Sequence, residues 1–427
     1  MSLTAPWITR RAALAAAALL PAAARAQQQT TVIDVTRART DPIPIAIPDL
    51  AGATPEAQRL GRDIVRVVVN NLRGSGLFRP VDRQAFIQTP EAAAQTPRFQ
   101  DWRVIGAQAL VTGRAELQPG NRLRIEFRLW DVLPETQLQG TAYTADAANW
   151  RQIAHVISDV IYERLLGERG YFDTRIVYVS ETGPRDRRTR RLAIMDQDGE
   201  NHRFLTDGRF QALTPRFHPN ARQIAFMSYA GNQPRVFLFD LESGRQEVLG
   251  NFGGMTLSPR FSPDGRSVIL SAVRGNDTNI FVVDLATRRE RQLTSGGALD
   301  VSPCFSPDGT QIVFNSDRGG DQQLYVMDAS GANVRRISFG RGRYATPVWS
   351  PRGDLIAFTR FGGGGGFAIG VMRPDGSGER ILTEGWQMES PSFAPNGRVL
   401  AFYRETRATD ARGSGFSSRL AQIDIAG

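Results

Sequence analysis

Ser302-Pro303-Cys304-Phe305-Ser306-Pro307-Asp308-Gly309 is one of five near-copies of a single phrase. Its first proline recurs at Pro215, Pro259, Pro303, Pro347 and Pro391, and its second at Pro219, Pro263, Pro307, Pro351 and Pro395, always 44 residues apart. Ser or Thr stands before the first proline, and an aromatic ring follows two residues after it, as Phe217, Phe261, Phe305, Trp349 and Phe393. The phrase reads as a strand ending in a tight turn. Proline presets the first corner, Asp or Asn bonds its own backbone, and glycine takes positive φ.

A period of this length belongs to a propeller, a solenoid or an array, and the content of one repeat decides between them. After each turn comes a short β-type run: Ile224-Ala225-Phe226, Val268-Ile269-Leu270, Ile312-Val313-Phe314, Ile356-Ala357-Phe358 and Val399-Leu400-Ala401-Phe402. Third strands follow at Val236–Asp240, Ile280–Asp284 and Leu324–Asp328, and Leu249, Leu293 and Ile337 anchor a fourth. Four antiparallel strands per repeat without helical periodicity make a propeller blade.

The count is uneven at the ends. Second strands number six, from Ile176-Val177-Tyr178-Val179 onward, and third strands six, from Leu192–Asp196 to Leu420–Asp424, but first and fourth strands number five each. The expectation is a six-bladed ring with an incomplete closing blade: either the chain is a shortened version of a longer product, or the seam is left as two unpaired edges.

Ahead of the repeats the texture changes. Arg10-Arg11, the apolar run Ala12 to Leu20 and the small-x-small site Ala24-Arg25-Ala26 read as a secretory signal peptide over 1–26, with the mature chain starting at Gln27. General and twin-arginine export both fit the leader. Residues 27–40 read as an N-terminal arm, 41–168 as an α/β domain and 172–427 as the propeller. In the α/β domain, Ile43–Ile47, Leu110–Gly113 and Leu123–Trp130 read as strands. Leu60, Ile64, Val67, Val68 and Leu72 share one helical face, as do Ile153, Ile157, Val160, Ile161 and Leu165.

Composition excludes several functions. The formal net charge is +9, yet the chain contains no lysine and its arginines are scattered, which argues against a nucleic-acid interface. A single cysteine, Cys304, permits no internal disulfide and reads as a packed thiol. A serine peptidase carrying a propeller is the rival reading, but no Gly-x-Ser-x-Gly elbow is present, and His155, His202 and His218 are dispersed. A carbohydrate-binding or sensing propeller is a third reading. Gly340-Arg341-Gly342-Arg343-Tyr344-Ala345 joins two blades and is no dinucleotide fingerprint, and Gly362 to Gly366 has no lysine behind it to make a phosphate loop. Asp196-Gln197-Asp198-Gly199 offers carboxylates, but its flanks lack the other ligands of a calcium loop, so a hairpin turn is the better reading. Nothing in the pattern calls for a cofactor or names a metal site.

The leader, an α/β domain holding Ile47-Pro48-Asp49 and Phe127-Arg128-Leu129-Trp130-Asp131, the joint from Tyr171 to Val179 and the Ser-Pro-Asp-Gly blades together resemble the TolB family of the Tol-Pal system. That resemblance implies a non-catalytic periplasmic adaptor whose propeller binds the lipoprotein Pal and whose N-terminal arm contacts TolA, supporting outer-membrane integrity and constriction at division. Loops leading into the first strands ring the mouth of a propeller. The register there singles out Met255, Thr256, Asp300, Arg343, Tyr344, Gln387 and Met388, either as a docking surface or as a cap on the channel. In the arm, Gln27, Gln28, Gln29, Thr30, Thr31, Val32 and Ile33 form the second candidate element: a mobile segment able to add to a partner's sheet edge, or a tied first strand of the α/β domain.

Overall fold

The computed structural model describes residues 41–426 apart from 184–186, 231–232 and 411–412. The leader and the arm, including Gln27 to Ile33, lie outside the described residues. Among the described residues no helix is long and apolar enough to cross a membrane.

The N-terminal part is a mixed sheet with helices. Its elements are β1 (Ile43–Ala46), β2 (Ala51–Gly52), α1 (Pro55–Gly74), β3 (Phe78–Pro80), α2 (Pro90–Gln95), α3 (Phe99–Val104), β4 (Ala109–Gln118), β5 (Arg122–Asp131), β6 (Thr136–Asp146) and α4 (Trp150–Leu166). The sheet order is β3-β1-β4-β5-β6, with β1 parallel to both neighbours and β4 to β6 antiparallel. Thr54 starts α1 by accepting the Ala57 N–H at 3.2 Å, and Pro55 fits the first turn because no intrahelical donor is wanted there. The stripe Leu60, Ile64, Val68 and Leu72 is buried against the sheet together with Ile157 and Ile161 of α4. Gly167 closes α4 in the left-handed conformation, at φ 73°.

Six sheets follow, four of them four-stranded and two three-stranded. First strands are Ala212–Phe217, Met255–Phe261, Val301–Phe305, Arg343–Trp349 and Gln387–Phe393. They adjoin one another from blade to blade, which puts them around the axis. The Ser or Thr before each first proline, Thr214, Ser258, Ser302, Thr346 and Ser390, has φ between 46° and 58°. The ladder to the second strand slips at that point in each of these five blades. The five copies are thus β-bulges, and the proline sits where the ladder asks for no N–H.

Second strands are buried on both faces. Ile224 and Phe226 face blade 1 with Leu192, while Ala225 faces blade 3 with Val268 and Leu270. This explains their unbroken apolar runs, since a strand sandwiched between two blades has no solvent face to keep polar.

The three-stranded sheets are the first and last. Blade 1 comprises Arg175–Thr182, Thr189–Asp196 and Arg203–Phe204, and blade 6 comprises Gln387–Phe393, Val399–Asp410 and Gly413–Asp424. Burial is shallower here. Ile176 to Val179 are half-buried, and Leu420 is 40 % exposed where its counterparts Val236, Ile280, Leu324 and Ile369 are at most 1 % exposed. Gln422 reaches across to the Gln197 carbonyl at 3.4 Å.

The α/β part bridges this seam. Asp159 of α4 accepts the N–H groups of Phe172 and Asp173 at 2.7 and 2.9 Å, and Gly170 lies so close that a Cβ would meet the Asp159 side chain at 2.2 Å. Phe172 and Tyr171 pack on Tyr162, and Val399 of blade 6 joins the same cluster. Glu168 pairs with Arg352 of blade 5 at 3.0 Å and with Arg398 of blade 6 at 3.5 Å, while Arg398 also holds Asp424 at 2.6 Å. Arg151 of α4 pairs with Asp198 of blade 1.

Hydrogen exchange read by mass spectrometry should therefore find amides of Arg175–Thr182 and Gly413–Asp424 exchanging faster than those of the second and third strands of blades 3 and 4. Arg398→Ala should cost about 2 kcal/mol in urea unfolding, less than a fully buried pair because Glu168 and Asp424 keep some water, and should speed exchange in blades 1 and 6 before the others.

Candidate protein-docking face

Successive strands of a blade run antiparallel, so its connections alternate between two faces of the disk. Loops into the first strands and hairpins between second and third strands lie on one face. The Pro-Asp-Gly turns and the hairpins between third and fourth strands lie on the other. Asp198, Arg352 and Arg398 all belong to the second set of connections, so the α/β part occupies that face and leaves the mouth opposite it free of α/β contacts among the described residues.

The structure separates the mouth candidates into two groups by strand parity. Residues three before the first proline point into the blades: Thr256, Asp300, Tyr344 and Met388 are each at most 2 % exposed. Residues four before it point outward, with Met255 38 % exposed, Arg343 exposed and Gln387 half-buried. The division follows from the two-residue period of a strand, in which neighbours take opposite sides.

The inward group fixes the loops. Thr256 Oγ1 accepts the Val236 N–H at 3.0 Å. The Asp300 carboxylate takes two bonds from the Arg318 guanidinium, at 2.8 and 2.9 Å, and that guanidinium lies over the rings of Phe314 and Tyr325. The Tyr344 hydroxyl donates to Glu379 at 2.8 Å, and burial first, then the Glu379 carboxylate, push its pKa up to about 12. Met388 fills the space beside Gly385, where a Cβ would stand 2.4 Å from its Cε. Of the two readings their register allowed, docking surface or cap on the channel, the burial of these four fits a supporting role beneath the surface.

What the mouth presents outward is mixed, with large apolar groups standing beside polar ones such as Arg343 and Gln387. Phe210 (45 % exposed), Met255, Leu299 (36 %), Phe339 (72 %) and Trp386 (52 %) supply one large exposed apolar group in or at the end of each of the five inter-blade loops. Trp386 stacks on Phe416 with ring centroids 6.5 Å apart, and Tyr229 stands at a second-strand end on the same face. Leu299 occupies the outward register position, so parity alone would have found it. Phe210, Phe339 and Trp386 lie in loops where no periodicity operates. Their only sequence signal is a bulky ring set among glycines and polar residues. The five groups stand around one rim of a rigid frame, where aromatic and methionine side chains can serve as apolar anchors for a bound protein.

The three histidines and the cysteine lie apart from one another, each in its own surroundings. His218 Nε2 meets the Gly265 carbonyl at 2.9 Å and its Nδ1 accepts the Asn220 N–H at 3.0 Å, His202 packs edge-on against Phe204, and His155 Nδ1 meets the Asn71 amide. Cys304 is buried, with Sγ 3.5 Å from the Trp349 N–H.

Comparison with known proteins agrees with this architecture. The family model described as TolB beta propeller domain matches residues 162–427, and that described as TolB amino-terminal domain matches residues 31–138. The Tol-Pal system protein TolB of Paramagnetospirillum magneticum is 55% identical over 224 residues, or 52% of this chain and 50% of that protein. The match thus spans about half the length of that curated relative. The crystal structure of TolB from Acinetobacter baumannii superposes with a TM-score of 0.76 at 29% identity, covering 88% of this chain and 91% of that one. With a TolB propeller over most of its length and a TolB amino-terminal domain ahead of it, the chain belongs to the TolB family.

Proposed function

We propose that this chain is a non-catalytic adaptor of the Tol-Pal system, working in the periplasm, whose propeller mouth binds the lipoprotein Pal and whose N-terminal arm binds TolA. It thereby supports outer-membrane integrity and constriction during division. The observation that carries the reading is the outward ring of Phe210, Met255, Leu299, Phe339 and Trp386 on the face away from the α/β part. Binding suits the arrangement better than catalysis, because aromatic and methionine side chains on a rigid frame make interface hot spots and bring no acid, base or nucleophile. The engagement of His155, His202 and His218 in separate contacts supports the same reading over the peptidase one.

The supports and the contacts answer differently to mutation. Replacing Phe339 and Trp386 together by Ser should weaken Pal binding at least tenfold by titration calorimetry, about 1.4 kcal/mol, with the melting temperature close to that of the parent. Tyr344→Ala should instead lower the stability of the propeller by about 3 kcal/mol in urea unfolding, because it opens a cavity and leaves Glu379 beside Arg360 without its hydroxyl donor. Unchanged Pal affinity in the folded Phe339/Trp386 variant would remove the mouth from the proposal.

The arm is tested separately. Deleting residues 27–31 should abolish capture by TolA while Pal binding stays within twofold of the parent, measured by the same calorimetry on both partners. Retained TolA binding would refute the arm's role.

A further inference from the structure

The hairpin Asp196-Gln197-Asp198-Gly199 of blade 1 offers two carboxylates, and the structure supplies the partner that its sequence neighbours lack. His155, from the middle of α4, points its Nε2 at them, 3.6 Å from Asp198 Oδ2 and 4.0 Å from Asp196 Oδ2. One ligand atom from each residue lies within 4.8 Å of the others. His155 is 2 % exposed, and its Nε2 is buried without a hydrogen-bond partner. The cluster borders a cleft of about 720 Å³ between α4 and the turns of the propeller, lined by Arg151, Asp173, Thr174 and His218 among others. Ions and water therefore have a route to it.

We propose that His155, Asp196 and Asp198 form a site for one divalent transition-metal ion, zinc above others, joining α4 to the first blade. One imidazole nitrogen and two carboxylate oxygens are a three-ligand set suited to a four-coordinate ion with water in the fourth place, here on the cleft side. Ligand bonds of about 2.1 Å at tetrahedral angles separate the donor atoms by roughly 3.4 Å. The carboxylates therefore need to close on the imidazole by roughly half an ångström or less, and on each other by up to about 1.4 Å, within the reach of side-chain rotation. Calcium fits poorly, because it asks for six or more oxygens and shuns nitrogen.

The surroundings agree. Burial lowers the pKa of His155 against the opposing pull of Asp198 and Asp196, with Arg151 adding to the lowering and Asp173 opposing it. Asn71 sits 2.9 Å from Nδ1 and also meets Ser158 and Gln197. With a metal on Nε2, Nδ1 carries the proton and donates to the Asn71 amide oxygen, which takes half a turn of that amide and a matching turn of the Gln197 amide that now donates to it. Arg151 competes. Its guanidinium holds Asp198 at 2.5 Å, and its Nε is itself buried without a partner, so an arriving ion takes over a carboxylate that the arginine now neutralises. Because the imidazole comes from α4 and the carboxylates from blade 1, an ion here pins the two parts of the molecule together, and its binding free energy adds to that attachment.

The test uses the full chain without a histidine tag, stripped with chelator and dialysed. Cobalt(II) should bind one to one and produce the strong visible absorption of tetrahedral coordination, zinc should displace it, and zinc should raise the melting temperature. His155→Gln and Asp196→Asn should each weaken zinc binding at least tenfold, whereas Arg151→Ala should tighten it several-fold. Circular dichroism and metal-free melting of each variant report folding. If His155→Gln fails to fold, Asp196→Asn, which leaves the helix untouched, decides alone. Absence of stoichiometric uptake, or uptake that the folded variants leave unchanged, would show that the cluster is a hydrogen-bonded ion-pair network and nothing more.

Discussion

A ring of sheets gains its full burial only when the last sheet meets the first, and everything else in this molecule is arranged around that closure. Blades 2 to 5 bury second and third strands on both sides, in clusters that mix residues of adjoining blades. At the seam the same positions are half-buried, so apolar burial contributes least where the ring most needs holding. The α/β part compensates from one face. Glu168 ties blades 5 and 6 to the end of α4, Arg151 ties blade 1 to its start, and Val399 enters the core that α4 shares with Tyr171 and Phe172. The amino-terminal domain is thus a brace for the propeller as well as a neighbour of it.

The repeated proline phrase has its own physical logic. A Ser or Thr at positive φ costs about 1 to 2 kcal/mol against glycine, and the chain accepts this in all five first strands. In return each inner strand bends at the bulge and carries a proline without losing a ladder bond. Thr346 and Thr359 link hydroxyls across that gap at 2.8 Å, and Thr359 also accepts the Ser390 N–H of the next blade at 3.2 Å. The bulge is therefore a point of contact between blades.

How much could be read in advance followed from the range of the interactions involved. The propeller was legible because turn chemistry is local and was repeated on a fixed period. So was the amphipathic face of α1. The sheet's third antiparallel strand, β6, was not, since its Thr, Gln and Ala residues are half-exposed and carry no apolar alternation. Helices α2 and α3, six residues each, are too short to show a period. At the mouth, a count from the proline located the loops, but it mixed Tyr344 and Met388, which face inward, with Met255 and Arg343, which face out. The meeting of His155 with Asp196 and Asp198 is a product of how two domains lie together, and no pattern within either segment announces it.

The alternation of connections between faces also has a mechanical consequence. The strands of each blade run between the mouth and the α/β face in alternating directions, and their ladder bonds lie across that axis. A pull applied between the two faces would load those bonds in shear, where a whole ladder must give way at once. A pull along the rim would peel them open one at a time. A propeller gripped at its mouth and held through its α/β part is thus strained along its stiffest axis, and such a body passes tension from one face to the other with little stretch of its own.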